Sequence, residues 1–367
     1  MNILFLDSIE CETYGGMEEW IRLVAGGLAG RGHTTLVAGR TGSEFLRRVG
    51  SHGITTLPLA ISGDFNPITI ARVRQTLVEA NIDLICVNFT KDIRLGGLAA
   101  RWSGATKVVW SVGLDITKDS LAHRWFTPKL VDAVLVPSES LKRQITALEY
   151  VKPELVTVIP IGIEDRSNVA AINLRSVYQL PADAIVSVTV GRFVEQKGHA
   201  TLIDALPLIM EKVQNALCLF LGNGPLEASL RSRATALGIA DHIAFGGMVD
   251  DVAPLIAGAD LMIHPAVEEP FGIAVLEGMR AGLPIVASQV GGIPEVVGAD
   301  GGARLVEPRN PIALAGAVID MLENREEMRR AGAKNRQRFL EHFSLVQMID
   351  RVEATFHSIA QAEPQHG

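Results

Sequence analysis

Short apolar, β-branched runs alternate with longer helix-period stretches along the whole chain, and this alternation constrains the fold more than any other feature. The apolar runs are Ile3–Leu6, Thr34–Ala38, Thr55–Leu59, Leu84–Asn88, Val108–Val112, Ala133–Pro137 and Val156–Pro160. Helical stretches such as Glu18–Gly30, Pro67–Ala80, Leu95–Trp102 and Glu139–Leu148 lie between them. Strands separated by helices build a parallel sheet covered on both faces. The pattern then restarts. After the polar stretch Asp165–Asn173 come apolar runs at Ile185–Gly191, Leu217–Leu221, Ile243–Phe245, Leu261–His264, Ile285–Ala287 and Arg304–Val306. Helical stretches again intervene, including Ala200–Lys212, Leu226–Leu237 and Phe271–Ala281. The expected class is α/β, with two parallel-sheet domains in tandem over residues 1–164 and 165–345 and a helical tail over 346–367. Ligands of such sheets sit beyond the carboxyl ends of the strands, and the cleft between two such domains is the expected site.

The 367 residues suit two domains that each bury a core, and 48% hydrophobic content fits a globular protein. Thirty-five glycines suit many tight strand-to-helix turns. Net charge is −7, yet residues 1–164 hold 17 of the 34 basic and 17 of the 41 acidic residues, so the excess acid falls in the second half. That argues against a broad nucleic-acid footprint and leaves room for a local basic patch on the first half. Cys11, Cys86 and Cys218 lie far apart with no metal-ligand spacing, and Cys86 and Cys218 sit in apolar runs that read as core. The chain opens on an apolar run without a charged leader, and no run approaches ~20 apolar residues, so the expectation is a cytoplasmic enzyme.

Chemistry concentrates in His264-Pro-Ala-Val-Glu-Glu269-Pro-Phe-Gly272-Ile-Ala-Val-Leu-Glu277. An apolar run ends in a loop holding Glu269, a helix is expected to begin near Phe271, and Glu277 follows eight residues after the first acid. A helix start attracts phosphate through its open N–H groups and its dipole, and flanking carboxylates accept hydrogen bonds from sugar hydroxyls. Upstream, Gly191-Arg192-Phe-Val-Glu-Gln-Lys197-Gly198 places two cations at a strand's carboxyl end, where they can stabilise a departing diphosphate in place of a metal. Thr13-Tyr14-Gly15-Gly16 follows the first strand and reads either as a close backbone approach to a ligand or as an ordinary turn. Gly26-Gly27-Leu28-Ala29-Gly30 is not a dinucleotide fingerprint, because its spacing is wrong and it lies at a helix end. Gly222-Asn223-Gly224-Pro225 follows another strand and opens a helix.

Glu269-x7-Glu277 around Pro270-Phe271-Gly272 resembles the signature of the retaining, nucleotide-sugar-dependent glycosyltransferases of family 4. The resemblance is specific over residues 185–297 and generic over the first 165. It implies the GT-B fold: two Rossmann-like domains whose parallel sheets face a central cleft, with the last helix crossing back to the first domain. It also implies the site. Arg192 and Lys197 would grip the donor diphosphate together with the helix start at Phe271, Gly272 and Ile273. Glu269 would lie at the transferred sugar, and Glu277 on the ribose hydroxyls. Gly15 and Gly16 would approach the phosphates, Gly222 would line the nucleotide pocket, and the backbone of Met248 and Val249 would face the base. The implied reaction moves a sugar from a nucleoside-diphosphate donor to an acceptor hydroxyl by front-face displacement. No metal and no cofactor beyond the donor are expected.

One departure stands out. Many relatives carry a histidine after the fifth strand, where this chain has Val112 in Val108-Val-Trp-Ser-Val112-Gly113-Leu-Asp115. Lys91, Asp92, Arg94 and Asp115 are nearby polar groups, and Asp92 is the preferred substitute; the alternative is that they form a polar rim for the acceptor. His264 and His199 read as packed or supporting residues. Two rivals accompany the transferase reading: a nucleotide-sugar 2-epimerase of the same fold, and a non-catalytic nucleotide-sugar-binding protein. The expected acceptor is a glycan or a lipid-linked molecule, with cell-surface polysaccharide or lipopolysaccharide assembly as the setting by analogy. Trp110, Trp125 and Phe126 can stack on a sugar or simply pack. Arg101, Lys107, Arg124 and Lys129 can face the inner membrane surface or form a scattered solvated surface.

Overall fold

A computed structural model describes residues 1–12, 14–104, 106–113, 121–166 and 168–362. Thr13 and Asp115 lie outside the described residues. The chain divides into two compact units, one formed by Met1–Gly162 with Leu345–Gly367 and the other by Ile163–Ser344.

The first unit is built on a seven-stranded, wholly parallel sheet: β1 (Asn2–Asp7), β2 (Thr34–Arg40), β3 (Thr55–Leu59), β4 (Leu84–Val87), β5 (Lys107–Ser111), β6 (Ala133–Val136) and β7 (Val156–Val158). Their order is β3-β2-β1-β4-β5-β6-β7, so the winding reverses between β1 and β4. Leu4, Ile85, Val108 and Trp110 carry the core beneath the helices that cover one face. The helix Leu345–Gln361 packs within this unit: Phe356 lies against Phe5 with ring centroids 6.5 Å apart, and Arg31 pairs with Asp350 and Glu353 at 2.5 Å.

The second unit repeats the plan with six parallel strands: β8 (Ile185–Val190), β9 (Ala216–Leu221), β10 (Ile243–Gly247), β11 (Leu261–His264), β12 (Ile285–Ser288) and β13 (Ala303–Val306). The order is β10-β9-β8-β11-β12-β13, with the reversal between β8 and β11. Phe193, Leu202, Phe220 and Leu314 belong to its core. In doubly wound sheets the crevice for a ligand opens where the strand order reverses, at the carboxyl ends of the two central strands. Here those ends are β1/β4 in one unit and β8/β11 in the other.

Helix ends depart from the sequence reading where caps decide them. The expected Leu95–Trp102 helix runs from Thr90 to Ser103, because Asp92 closes a capping box on the Phe89 backbone. The expected Phe271 start moves to Ile273, because Gly272 takes φ 108°, outside helical space. Helices at Glu44–Ser51 and Leu121–Leu130 were not anticipated. Cys86 and Cys218 are buried free thiols.

Candidate active site

The crevice between β8 and β11 gathers the chemistry of the second unit. Lys197, seven residues beyond β8, places Nζ 2.6 Å from Oε2 of Glu269. His264, the last residue of β11, brings Nε2 to 2.9 Å from the same oxygen. Glu269 is buried, which alone would push its pKa up; the hydrogen bond from His264 and the charge of Lys197 outweigh burial and hold it down at about 2. A carboxylate fixed through Oε2 by two donors keeps an ionised, oriented face for a sugar hydroxyl.

The backbone fixes Glu269 as firmly. The Gln196 carbonyl accepts N–H bonds from Val267 at 2.7 Å and Glu268 at 3.2 Å, sewing the loop after β8 to the loop after β11. Gly292 donates to the Glu269 carbonyl at 3.1 Å, adding the loop after β12. Gly198 makes this meeting possible: at φ 66° a Cβ there would stand 1.9 Å from the Pro265 carbonyl oxygen. Just beyond β9, Gly222 donates to the carbonyl of Gly247 at the end of β10 at 2.8 Å, and Gly191 just beyond β8 donates to the Leu221 carbonyl at 2.9 Å, so the ends of β8, β9 and β10 also lock together.

Other expected residues are distributed around this centre. Arg192 is exposed beyond β8, and its guanidinium makes no hydrogen bond or ion pair among the described residues. Gly272 caps the helix Ile273–Arg280 without a side chain, leaving the first-turn N–H groups of Ile273 and Ala274 open for an anion. Phe271 is not part of that helix: its ring is buried against Phe343 at 6.1 Å. Glu277 lies one turn on, half-buried, in the field of Arg166 and Arg280. Met248 projects outward at 68% exposure just after β10, and Val249 is half-buried. His199 is buried against Phe193 and Phe220, and burial, with the Lys197 charge nearby, pushes its pKa down to about 3. It is a neutral packed ring, whereas His264 takes the supporting place that the sequence offered for it, on Glu269. A strand-end histidine five residues before a loop acid was the available signal.

The first unit's crevice is filled by its own acids. Asp7 ends β1 and accepts from Asn88 at 2.9 Å and from the Ile9 N–H at 2.8 Å. Asp92 does not take the place expected of it beside a donor sugar. Its side chain is fully buried, and Oδ2 accepts the Ser8 and Phe89 N–H groups at 3.2 and 3.0 Å. Glu18 is buried and accepts from Gly15 at 2.7 Å, so Gly15 is an extended helix cap and Gly16 the exposed first residue of the helix Gly16–Ala29. Burial, with the charge of Asp7 for the other two, raises Asp7 to about 6 and Glu18 and Asp92 to about 7. Val112, where a histidine was sought, is buried and lines a small apolar cavity of about 20 Å³ with Met17, Trp20 and Leu135. Three buried acids with raised pKa values gather in the first unit, while the second unit presents cations and open N–H groups.

Residues 14–166 match the family described as Glycosyltransferase Family 4, and residues 172–338 match Glycosyl transferases group 1. A phosphatidyl-myo-inositol mannosyltransferase of Mycobacterium leprae is 30% identical over 75% of this chain and 74% of its own. The chain belongs to the group 1 glycosyltransferases of family 4. An uncharacterised glycosyltransferase of Methanocaldococcus jannaschii is 34% identical over 67% of this chain and 63% of its own length. The fold matches the Anabaena protein HepE, solved in complex with UDP and glucose, with a TM-score of 0.86 at 23% identity over 98% of this chain and all of that one. This glycosyltransferase therefore shares the architecture of the GT-B structures, two parallel-sheet Rossmann-like domains.

Proposed function

We propose that this glycosyltransferase moves a hexose from a nucleoside-diphosphate donor to an acceptor hydroxyl with retention at the anomeric carbon, and that it does so without a metal. The observation that carries the reading is the Lys197–Glu269–His264 cluster beside an uncapped helix start, all at the β8/β11 crevice. In this reading the diphosphate lies on the N–H groups of Ile273 and Ala274, with Arg192 and Lys197 supplying the positive charge a metal would otherwise give. The open face of Glu269 orients the sugar. Glu277 takes the ribose hydroxyls, and the backbone at Met248–Val249 meets the base. The bond from the anomeric carbon to the diphosphate oxygen breaks as the acceptor oxygen bonds to the same face. The acceptor proton passes to the departing diphosphate. Gly15 and Gly16 would border the acceptor side. The mycobacterial relative's name supports a lipid-borne acceptor for this chain, and cell-surface glycan assembly is the proposed setting.

The test is release of nucleoside diphosphate from a panel of nucleotide hexoses in EDTA, with the product's anomeric configuration read by NMR. Retained configuration, and loss of turnover of about 10²-fold or more in Glu269→Ala and Lys197→Ala, are expected. Full transfer by those variants overturns the site. Epimerised sugar formed from donor alone would replace the transferase reading with an isomerase.

A further inference from the structure

The helices Pro67–Glu79, Thr90–Ser103 and Leu121–Leu130 pack side by side in the first unit, and their outer surface is unlike the rest of the chain. Leu121 is 86% exposed, Trp125 63% and Trp102 60%, and Ile68 reaches 77%. Leu121 and Trp125 are four residues apart on one helix face. Lys129 continues that stripe, with Nζ 3.4 Å from the centre of the Trp125 ring. At the far end of the stripe, Arg101 donates to the Lys129 carbonyl and Arg74 to the Trp102 carbonyl, both at 3.0 Å, which binds the three helices into one surface. At the near end, the Phe65 and Phe126 rings meet at 5.1 Å.

The charge of this surface runs against that of the protein. The chain carries −7, yet the three helices hold six lysines and arginines outside the core against the exposed Glu79, while Arg94 and Asp92 are buried. Tryptophans and an exposed leucine have no use for bulk water, and large exposed apolar groups with a polar rim mark a contact surface. Tryptophan beside lysine and arginine is the composition that rests at a bilayer interface, the ring at headgroup depth and the cation at the phosphates. Among the described residues no helix is long and apolar enough to cross a membrane.

We propose that this three-helix face seats the enzyme on the surface of an anionic phospholipid bilayer. Leu121, Trp125, Trp102 and Ile68 enter the headgroup region, while Arg101, Arg74 and Lys129 meet the lipid phosphates. The Leu121 and Ile68 ends of their helices lie at the carboxyl end of the sheet, so an acceptor carried by that bilayer would be delivered to the end of the unit where ligands of such sheets bind. That last consequence rests on the transfer reading; the binding itself does not.

The experiment is co-sedimentation of the full chain with vesicles of phosphatidylcholine alone and of phosphatidylcholine with phosphatidylglycerol, beside titration of UDP and GDP. The wild type is expected to sediment with the phosphatidylglycerol vesicles only, and less so at high salt. Lys129→Gln should lower partitioning about fivefold, and the Leu121→Glu/Trp125→Glu pair about tenfold or more. Nucleotide affinity should stay unchanged in both, which shows that the variants fold and keeps the result independent of the sugar chemistry. A wild type that stays in the supernatant, or a double variant that sediments like the wild type, overturns the proposal. So does a wild type that is dimeric in solution with a monomeric double variant, because the face would then belong to a second copy of the chain.

Discussion

Replacing Glu269 by glutamine removes the charge that Lys197 and His264 both hold and keeps the shape. The carboxyl sits at about 2 instead of its ordinary 4.5. At about 1.36 kcal/mol per pH unit that corresponds to roughly 3 kcal/mol of folding stability. Lys197 is 26% exposed, so solvent screening reduces the figure to about 2 kcal/mol. For a domain of this size that lowers the melting temperature of the second unit by about 4–8 °C at neutral pH. The pH dependence has a definite sign. A depressed carboxyl stabilises above its unfolded value near 4.5, and that contribution is lost as pH falls towards 2. Calorimetry of wild type and Glu269→Gln across that range should therefore show a gap that is widest at neutral pH and closes in acid. Freed from its acid partner, Lys197 should bind a nucleoside diphosphate at least as well, while sugar transfer falls by about 10²-fold or more. Melting temperatures within about 1 °C at neutral pH, or a gap that stays constant into acid, would refute the claim that both donors hold Oε2.

Other perturbations probe the scaffold. Asp92 is raised to about 7 by burial and by the charge of Asp7, so its neutral form stabilises below about 4 and that contribution fades as pH rises through 7. Asp92→Asn should flatten the loss of stability that wild type shows between about pH 4 and pH 7, and should be more stable than wild type by about 2 kcal/mol or more at the upper end; denaturant midpoints that track wild type at every pH would contradict it. Gly198→Ala drives a Cβ towards the Pro265 carbonyl and should cost about 3 kcal/mol while loosening the Lys197–Glu269 contact; a melting curve identical to wild type would show that the two loops are not locked. Arg192→Ala removes an exposed cation without a partner, so stability should hold within about 0.5 kcal/mol while diphosphate affinity drops; the reverse pattern would make Arg192 structural.

The two sheets were legible because a parallel strand buried on both faces is a short continuous apolar run, and thirteen such runs stand out between polar punctuation. The reversal points were not legible, since strand order depends on crossovers that leave no local trace. Lys197 and Glu269 were found from their motifs, yet their direct contact across the β8/β11 crevice joins residues 72 apart in the chain. His264 read as a packed or supporting residue, but its partner was not legible, because the last residue of a buried strand looks like core until its ring nitrogen meets a carboxylate. Asp92 differs for the opposite reason: it reads as a polar group near a strand end, while burial and the Ser8 and Phe89 N–H groups hold it as structure. Helix starts at Thr90 and Ile273 were set by one capping side chain and one positive φ, which apolar periodicity does not register.

The central claim, that the second unit holds a nucleoside diphosphate on cations and a bare helix start, is tested most directly by calorimetric titration of UDP, GDP and ADP in EDTA, against wild type, Lys197→Ala and Arg192→Ala. The account predicts saturable binding of one diphosphate by wild type in the absence of metal, weakened about tenfold or more in each variant. Binding that requires added metal, or that is untouched by loss of both cations, would contradict it.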